Sequence, residues 1–399
     1  MAGLSTVTIN VGSGGLGRRP ANTDKISGLL FYNDTLPSGF TVSTREQKVY
    51  SLSGAEALGI AEGSVAHSVE WYHISEFFRA NPDGELWLGF YAVPGTGLIG
   101  DYAYTEIDTM QRATAGEIRQ LGVFTNSYTY NISELTKIQG VVDILVAAGM
   151  PLSVLYAGDM SALTAVTGWT TVGDARTLNA RHVTPIASQD GGAAGLALYT
   201  GKSYSITTLG HTLGFLSKAA VNESIGNPEN FNASDGTELE TIALANGDLV
   251  SALSNSALGA LKDDGYQIAI KRAPKLAGTY YDRTPASVVS TSDFAWVEFS
   301  RTIDKATRLT DSALTPKLLS GVVVKADGTL SDDTVEYFRD VVLQALEGMV
   351  SDGEASAVDC LIDPSQNVQS TSTLVVTVKV QPTPIAEFIT VNIGLTDVI

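Results

Sequence analysis

A glycine-rich stretch near the N-terminus has the spacing of a nucleotide-binding loop. The run GSGGLG at Gly12–Gly17 matches G-x-G-x-x-G and follows a strand-like alternating stretch at Thr6–Val11. A dinucleotide loop also needs a helix that begins at the third glycine, because the helix N-terminus faces the pyrophosphate. Here the chain continues as RRPANTDKISG, with a proline and no apolar period. The pattern therefore favours a flexible hinge over a cofactor loop.

The other residues that could carry chemistry do not form a known constellation. The four histidines, His67, His73, His182 and His211, lack the H-x-x-x-H or H-E-x-x-H spacing that anchors zinc. The single cysteine, Cys360, excludes an internal disulfide and a cysteine-rich metal site. A G-x-S-x-G nucleophile motif is absent as well. We therefore expect no enzyme activity, no catalytic or metal-binding residues and no cofactor.

Composition limits the class of partner. The 399 residues include 43 acidic and 25 basic side chains, a formal net charge of −18, and no basic cluster offsets this excess locally. Such a chain repels a phosphate backbone, so nucleic-acid binding is not expected. No apolar run approaches the roughly 18 residues of a membrane span, and the N-terminus lacks signal-peptide features. These patterns predict a soluble cytoplasmic protein without membrane insertion.

The elements along the chain alternate between strands and helices. Apolar strand-like runs at 27–33, 84–94 and 151–160 are interleaved with helical spacing at 68–81 and 133–148. This order is typical of a parallel α/β sheet. After Pro285 the pattern changes: Ser331 stands where a helix N-cap is expected, ahead of an amphipathic helix and two strands. The predicted fold class is α/β, or α+β overall.

We predict four regions along the chain. Residues 1–25 form an N-terminal arm with a glycine hinge, and residues 26–284 form an α/β body with room for an inserted outer subdomain. Residues 285–381 form a small C-terminal α+β domain, and residues 382–399 form a C-terminal strand arm.

The C-terminal arm is an apolar run that must be covered. Its apolar residues lie on or near one side of a strand: Ile385, Ile389, Val391, Ile393 and Leu395. Burial of each gives about 1.5–3 kcal/mol, and a free end that exposed them would invite pairing at its edge. Pro382 and Pro384 separate this run from the preceding strand, because proline cannot donate to a ladder. The run either joins a sheet of its own chain or adds a strand to a neighbouring copy.

The other end of the chain favours the second alternative. It also carries a strand on a tether, with strand residues Thr6, Val7, Thr8, Ile9 and Val11 and hinge glycines Gly12, Gly14, Gly15 and Gly17. A strand passed from copy to copy is a heterologous contact, which closes into rings or continues as a helical polymer. We therefore expect inter-subunit strand exchange at both ends.

Several segments resemble the tail sheath proteins of Mu-like phages and related contractile injection systems. The closing segment PTPIAEFITVNIGL is similar to the end of those proteins, where a proline-containing joint precedes I-x-V-x-I. Other segments are similar in order and spacing, among them SQDGGAAG, GHTLGFLSKAAVNESIGN, SDFAWVEFSRTIDKATR and KADGTLSDDTVEYF. The resemblance runs from about Pro151 to the C-terminus, and residues 1–150 match loosely apart from the N-terminal strand.

The resemblance implies a structural protein. Sheath subunits polymerise as stacked rings around an inner tube, their arms complete small sheets of neighbours, and contraction drives the tube through a target envelope. The implied partners are other copies, the inner tube protein, and baseplate and tail-terminator or cap proteins, in a virion tail or injection-system particle assembled in the bacterial cytoplasm. The body resembles a sheath domain called subtilisin-like, in topology alone, because the H-G-T and G-T-S-M-A motifs are absent.

One surface and two alternative functions complete the predictions. Because the chain is acidic, contact with a tube would depend on local basic residues, and Arg301, Lys305 and Arg308 are the candidates. One alternative function is a cytoplasmic nucleotide-dependent α/β enzyme that uses the Gly12 loop. The other is a different component of the particle, such as a tube or baseplate protein.

Overall fold

A six-stranded sheet forms the centre of the larger part of the chain. The computed structural model describes residues 23–95, 97, 100–163, 169, 172–270, 277–391 and 393. The strands are β1 (Ser27–Tyr32), β2 (Glu46–Val49), β3 (Leu86–Tyr91), β4 (Gln120–Thr129), β5 (Ser153–Asp159) and β6 (Val183–Pro185). Their order is β2-β3-β1-β4-β5-β6, and every neighbouring pair is parallel except β2 and β3. The predicted α/β class is confirmed.

Helices cover both faces of this sheet. They are α1 (Leu52–Ala57), α2 (Ser68–Ala80), α3 (Thr105–Ala113), α4 (Ser133–Ala147), α5 (Ala193–Lys202), α6 (Leu209–Lys218) and α7 (Asn255–Asp263). Successive residues of β1 point to opposite faces, so Leu29 packs in the core that contains α2 and α6 side chains. Leu30 packs in the other core, with side chains of α3 and α4. A strand buried on both faces explains why β1 is a continuous apolar run and not an alternating one.

Two glycines bring α2 and α6 into close contact. A Cβ atom at Gly210 would lie 2.0 Å from the carbonyl oxygen of His73, and one at Gly214 would lie 2.7 Å from that of Phe77. Both glycines belong to the GHTLG segment and lie one helical turn apart, so one face of α6 has no side chains at these two positions. The helix was predicted from its spacing, and the structure adds the reason for its glycines.

Short strands join the sheet to the rest of the body. They are β7 (Ser188–Asp190) with β8 (Ile242–Leu244), and β9 (Ala269–Ile270) with β10 (Tyr280–Tyr281), both antiparallel. The segment HVTPIASQDG was predicted as a single strand. It forms two short strands in different sheets, β6 and β7, with Ile186 and Ala187 between them. Periodicity alone does not reveal this break, because the residues on both sides of it are buried.

The C-terminal part has a core of its own. It contains α8 (Val297–Leu314), α9 (Asp332–Ser351), β11 (Ala355–Leu361), α10 (Val368–Thr371) and β12 (Thr377–Pro382). The Ser331 side chain caps α9 by accepting a hydrogen bond from the Thr334 amide, as predicted. Apolar side chains of α9 pack against the sheet of β11 and β12. β12 differs from the predicted strand, since it begins at Thr377 and continues to Pro382, which lies opposite Ala355.

Within the described ranges, no helix is both long enough and apolar enough to cross a membrane.

Candidate functional site

The edge of the sheet where α/β proteins usually bind ligands is filled with tyrosine side chains. Ligands of open parallel sheets bind outside the carboxyl ends of the strands, where the strand order reverses. Here β1, at the reversal between β3 and β4, ends at Tyr32, whose hydroxyl donates to Glu106 Oε2 over 3.1 Å. Tyr102 packs on Tyr128 with ring centroids 4.4 Å apart, and the Tyr104 and Tyr156 hydroxyls are 3.2 Å apart. These buried rings occupy the crevice with the protein's own side chains.

The four histidines are buried and do not converge. His211 hydrogen-bonds the Tyr281 hydroxyl and the Thr237 carbonyl, and His182 lies 3.3 Å from Asp304. His73 packs against Phe124, with ring centroids 4.6 Å apart, and its two nitrogens have no partner among the described residues. No group of three or more His, Cys, Asp or Glu side chains in the described ranges is placed to hold a metal ion.

Two of these histidines make the fold sensitive to acid. Burial lowers the pKa of His73 and of His211 from 6.5 to about 3, so both stay neutral in the folded protein at pH 5. The unfolded chain takes up these protons below pH 6.5, so stability is full above that pH and falls as the pH decreases towards 3. Between pH 7 and pH 5, each of these two histidines should lower the free energy of unfolding by about 2 kcal/mol. Urea unfolding of His73→Phe should show that much less loss over this interval, and an unchanged pH dependence would contradict the assignment.

The predicted C-terminal arm lies along the body as far as Ile389 and exposes most of its apolar side chains. Residues 383–391 have no strand assignment. Ile385 is half-buried, whereas Ile389 is 82%, Val391 70% and Ile393 91% exposed. Among the described residues, therefore, this apolar run has no sheet to cover it.

The remaining predicted arm and hinge residues are placed as follows. Leu395, the N-terminal strand (Thr6, Val7, Thr8, Ile9 and Val11) and its hinge glycines (Gly12, Gly14, Gly15 and Gly17) lie outside the described residues. Pro382 is the last residue of β12, and Pro384 follows it within the uncovered segment. The joint between strand and arm thus begins at Thr383, whose hydroxyl donates to the Gly353 carbonyl over 3.0 Å.

The small sheet has a groove beside each of its two strands. β11 and β12 pair with each other, and in the described part of the chain neither has a second strand partner. A shallow, open groove of about 690 Å³ lies between β11 and α9, lined by apolar residues such as Leu343 and Val358 and by acidic residues such as Glu347. A second groove of about 500 Å³ lies between β12 and α8, with Phe299, Ile303 and Val380 in its lining. Each open edge therefore lies next to a partly apolar helix surface.

The three cations predicted to face a tube have partners inside the subunit. Arg301 is 4% exposed and donates to the carbonyls of Ala219 and Ala220 over 3.2 and 3.1 Å, just after the end of α6. A cation there also interacts favourably with the negative end of that helix. Lys305 and Arg308 lie 2.8 and 2.5 Å from the carboxylate of Asp24. A tube contact through these residues stays a prediction, and it would require these contacts to open.

A second ion-pair cluster, which the sequence did not indicate, holds the start of the C-terminal arm. The carboxylate of Glu387 forms an ion pair with Lys262 and lies 3.5 Å from Arg283. Arg283 in turn donates to Glu298 over 2.5 Å. The Lys262 and Arg283 cations lie 5.5 and 4.3 Å from the ring of Trp296. Glu387 therefore fixes the arm to the body between the half-buried Ile385 and the exposed Ile389.

Comparisons with known proteins show what this chain resembles in sequence and in fold. Residues 293–398 match a family model described as the C-terminal domain of DUF2586. No curated protein matches the chain in sequence. Solved structures do match in fold, and they cover nearly all of both chains.

Three of these structures illustrate the similarity. The helical sheath of the anti-feeding prophage (AFP) in its contracted state has a TM-score of 0.63 and 13% identity, with 99% of each chain covered. The contracted sheath complex of PVC, an extracellular contractile injection system, has the same score and identity, with 100% of this chain and 98% of that chain covered. A chain of the AFP baseplate has a TM-score of 0.61 and 12% identity, with 99% of this chain and 100% of that chain covered. The resemblance that the sequence suggested is thus confirmed in structure, and this chain has the fold of the contractile sheath proteins of injection systems.

Proposed function

We propose that this protein is a structural subunit of a contractile sheath, which polymerises helically around an inner tube and contracts to drive the tube through a target envelope. The fold similarity supports this role because the matches cover 99% and 100% of this chain and not one domain alone. The crevice filled by tyrosine rings fits a structural body better than a nucleotide-dependent enzyme.

The observation that carries the proposal is the match between an uncovered apolar segment and a small sheet whose two edges have no further strand among the described residues. The arm exposes Ile389, Val391 and Ile393, and burial of each would stabilise a contact by about 1.5–3 kcal/mol. The small sheet offers two open edges, each beside a groove. Backbone pairing at such an edge supplies affinity, and alternate side chains that enter the groove supply specificity. One arm from each of two neighbouring copies would complete a four-stranded sheet.

Contraction requires that the contacts between subunits exist in two arrangements. The arms would keep neighbours connected while the bodies rotate and slide. Energy is released if the extended lattice is held by fewer contacts between bodies than the contracted one. The glycine hinge of residues 12–17 and the joint at Thr383 and Pro384 would allow the arms to span both spacings.

The proposal includes the partners and the place of action. They are other copies of the chain, an inner tube protein, and baseplate and terminator or cap proteins, within a phage tail or injection-system particle assembled in the cytoplasm. A position at the baseplate end is the second candidate, because one of the matching chains comes from a baseplate structure. A sheath subunit would line the whole length of the particle, whereas a baseplate component would be confined to one end.

Electron microscopy of the purified protein tests the proposal directly. We expect hollow cylinders in negative stain, because strand exchange between identical subunits needs no other component. Immunogold labelling of intact particles should mark the full length of the sheath. Discrete particles at every protein concentration, together with a rise in melting temperature on addition of a nucleotide, would instead support the enzyme.

A further inference from the structure

Helix α8 connects the body to the small C-terminal domain. Its 18 residues span about 27 Å, at about 1.5 Å per residue. The first half is held by the body, through Arg301 and through Asp304, which lies 3.3 Å from His182. Ala306, Leu309 and Leu314 in its second half pack with side chains of α9 in the core of the small domain. The helix therefore contacts both parts.

The start of the described chain is fixed to the middle of this helix. Asp24 lies at the end of the predicted N-terminal arm (residues 1–25), and its carboxylate is held by Lys305 and Arg308 of α8. Lys305 also contacts Glu354, which precedes β11. Burial would raise the pKa of Asp24, but the hydrogen bonds and charges of Lys305 and Arg308 outweigh it and lower that pKa. The side chains of Asp24, Lys305 and Arg308 are 11–16% exposed, so solvent screens these pairs less than it screens a surface pair.

The C-terminal arm is fixed to the first turn of the same helix. Glu387 contacts Arg283, and Arg283 donates to Glu298 in the first turn of α8. Trp296, the N-cap residue of α8, lies under the cations of both Lys262 and Arg283. Two acidic residues that are 363 positions apart thus reach one helix, each through a pair of cations.

We infer that α8 transmits tension between the two terminal arms, with Asp24 and Glu387 as its attachment points. The inference rests on the proposed exchange of arms, because only in a polymer do neighbours pull on both ends of one subunit. A pull on the C-terminal arm would pass from Glu387 to the first turn of α8, along the helix to Lys305 and Arg308, and through Asp24 into the N-terminal arm. Between Glu387 and Asp24 this path runs along α8 and does not pass through the strands of the six-stranded sheet.

Glu387→Gln tests the inference with little disturbance to the fold. The substitution keeps the shape of the side chain and every apolar residue of the arm, but removes the charge that pairs with Lys262 and Arg283. We expect cylinders to form and then to break under shear through a narrow needle, with a mean length lower by about threefold or more than for the unchanged protein. The melting temperature of the free subunit should stay the same, because Arg283 keeps its hydrogen bond to the carboxylate of Glu298.

Two further variants complete the test. Asp108→Asn removes an exposed pair with Arg112 on α3, and its cylinders should withstand shear as the unchanged protein does. Asp24→Asn should also give fragile cylinders, with a lower melting temperature because Asp24 is buried. Glu387→Gln cylinders of unaltered length would overturn the inference and leave the proposed function intact. If the unchanged protein forms no cylinders, the proposed function fails and the inference fails with it.

Discussion

A chain that ends at Phe388 should fold normally and remain a single subunit. The cut removes Ile389, Val391 and Ile393, which are 70–91% exposed and therefore contribute little to the fold. It keeps Glu387 and its ion pairs with Lys262 and Arg283, so residues 383–388 stay attached to the body. In a polymer, however, each contact would lose the burial of at least these three apolar side chains, about 4.5–9 kcal/mol in total. Sedimentation and negative stain should show subunits in place of cylinders.

The melting temperature of the shortened chain decides between the two arrangements of the arm. Under strand exchange it should equal that of the full-length protein measured as a free subunit. A clearly lower value would mean that residues 389–399 complete a sheet of their own chain, and exchange at this end would then be wrong. Thr390→Ser in the full-length chain is the matched control, because it alters the arm without removing an apolar side chain, and it should assemble.

Gly210→Ala should destabilise the body severely. The added Cβ would lie 2.0 Å from the carbonyl oxygen and 2.7 Å from the carbonyl carbon of His73, so two helix backbones would have to separate. α2 and α6 together cover one face of the sheet, and the separation would disturb the core between them. We expect a loss of about 3 kcal/mol or more in the free energy of unfolding, a large share of the usual 5–15 kcal/mol. Chemical denaturation monitored by circular dichroism measures it.

Gly140→Ala is the control for this prediction. Gly140 lies on an exposed face of α4 with no atom within 4 Å of an added Cβ. The same substitution there should be neutral or stabilising by up to about 1 kcal/mol, because alanine favours the helix over the unfolded chain. If both variants behaved alike, the close contact between α2 and α6 would not be a determinant of stability.

The sequence by itself was sufficient for the local elements and the fold class. Ser331, the apolar spacing behind it and the alternation of strands and helices each depend on residues near one another in the chain. The predictions of α9, of α2 and of the parallel sheet therefore agree with the structure. The break between β6 and β7 and the extension of β12 to Pro382 were not predicted, because their hydrogen-bonding partners lie far away in the chain.

The tertiary structure alone decided what the charged residues of α8 contact. Arg301, Lys305 and Arg308 share one helical face, and their charge suggested an exposed surface. Val297, an apolar residue, lies on the same helical face as these three cations. Its presence was a signal in the sequence that this face packs against the body, where Val297 is buried. Periodicity shows which residues share a face, but it does not show what that face meets. Asp24 and Glu387 hold the two arms on α8 because folding joins residues that the sequence separates, and only the folded chain shows which acid meets which cation.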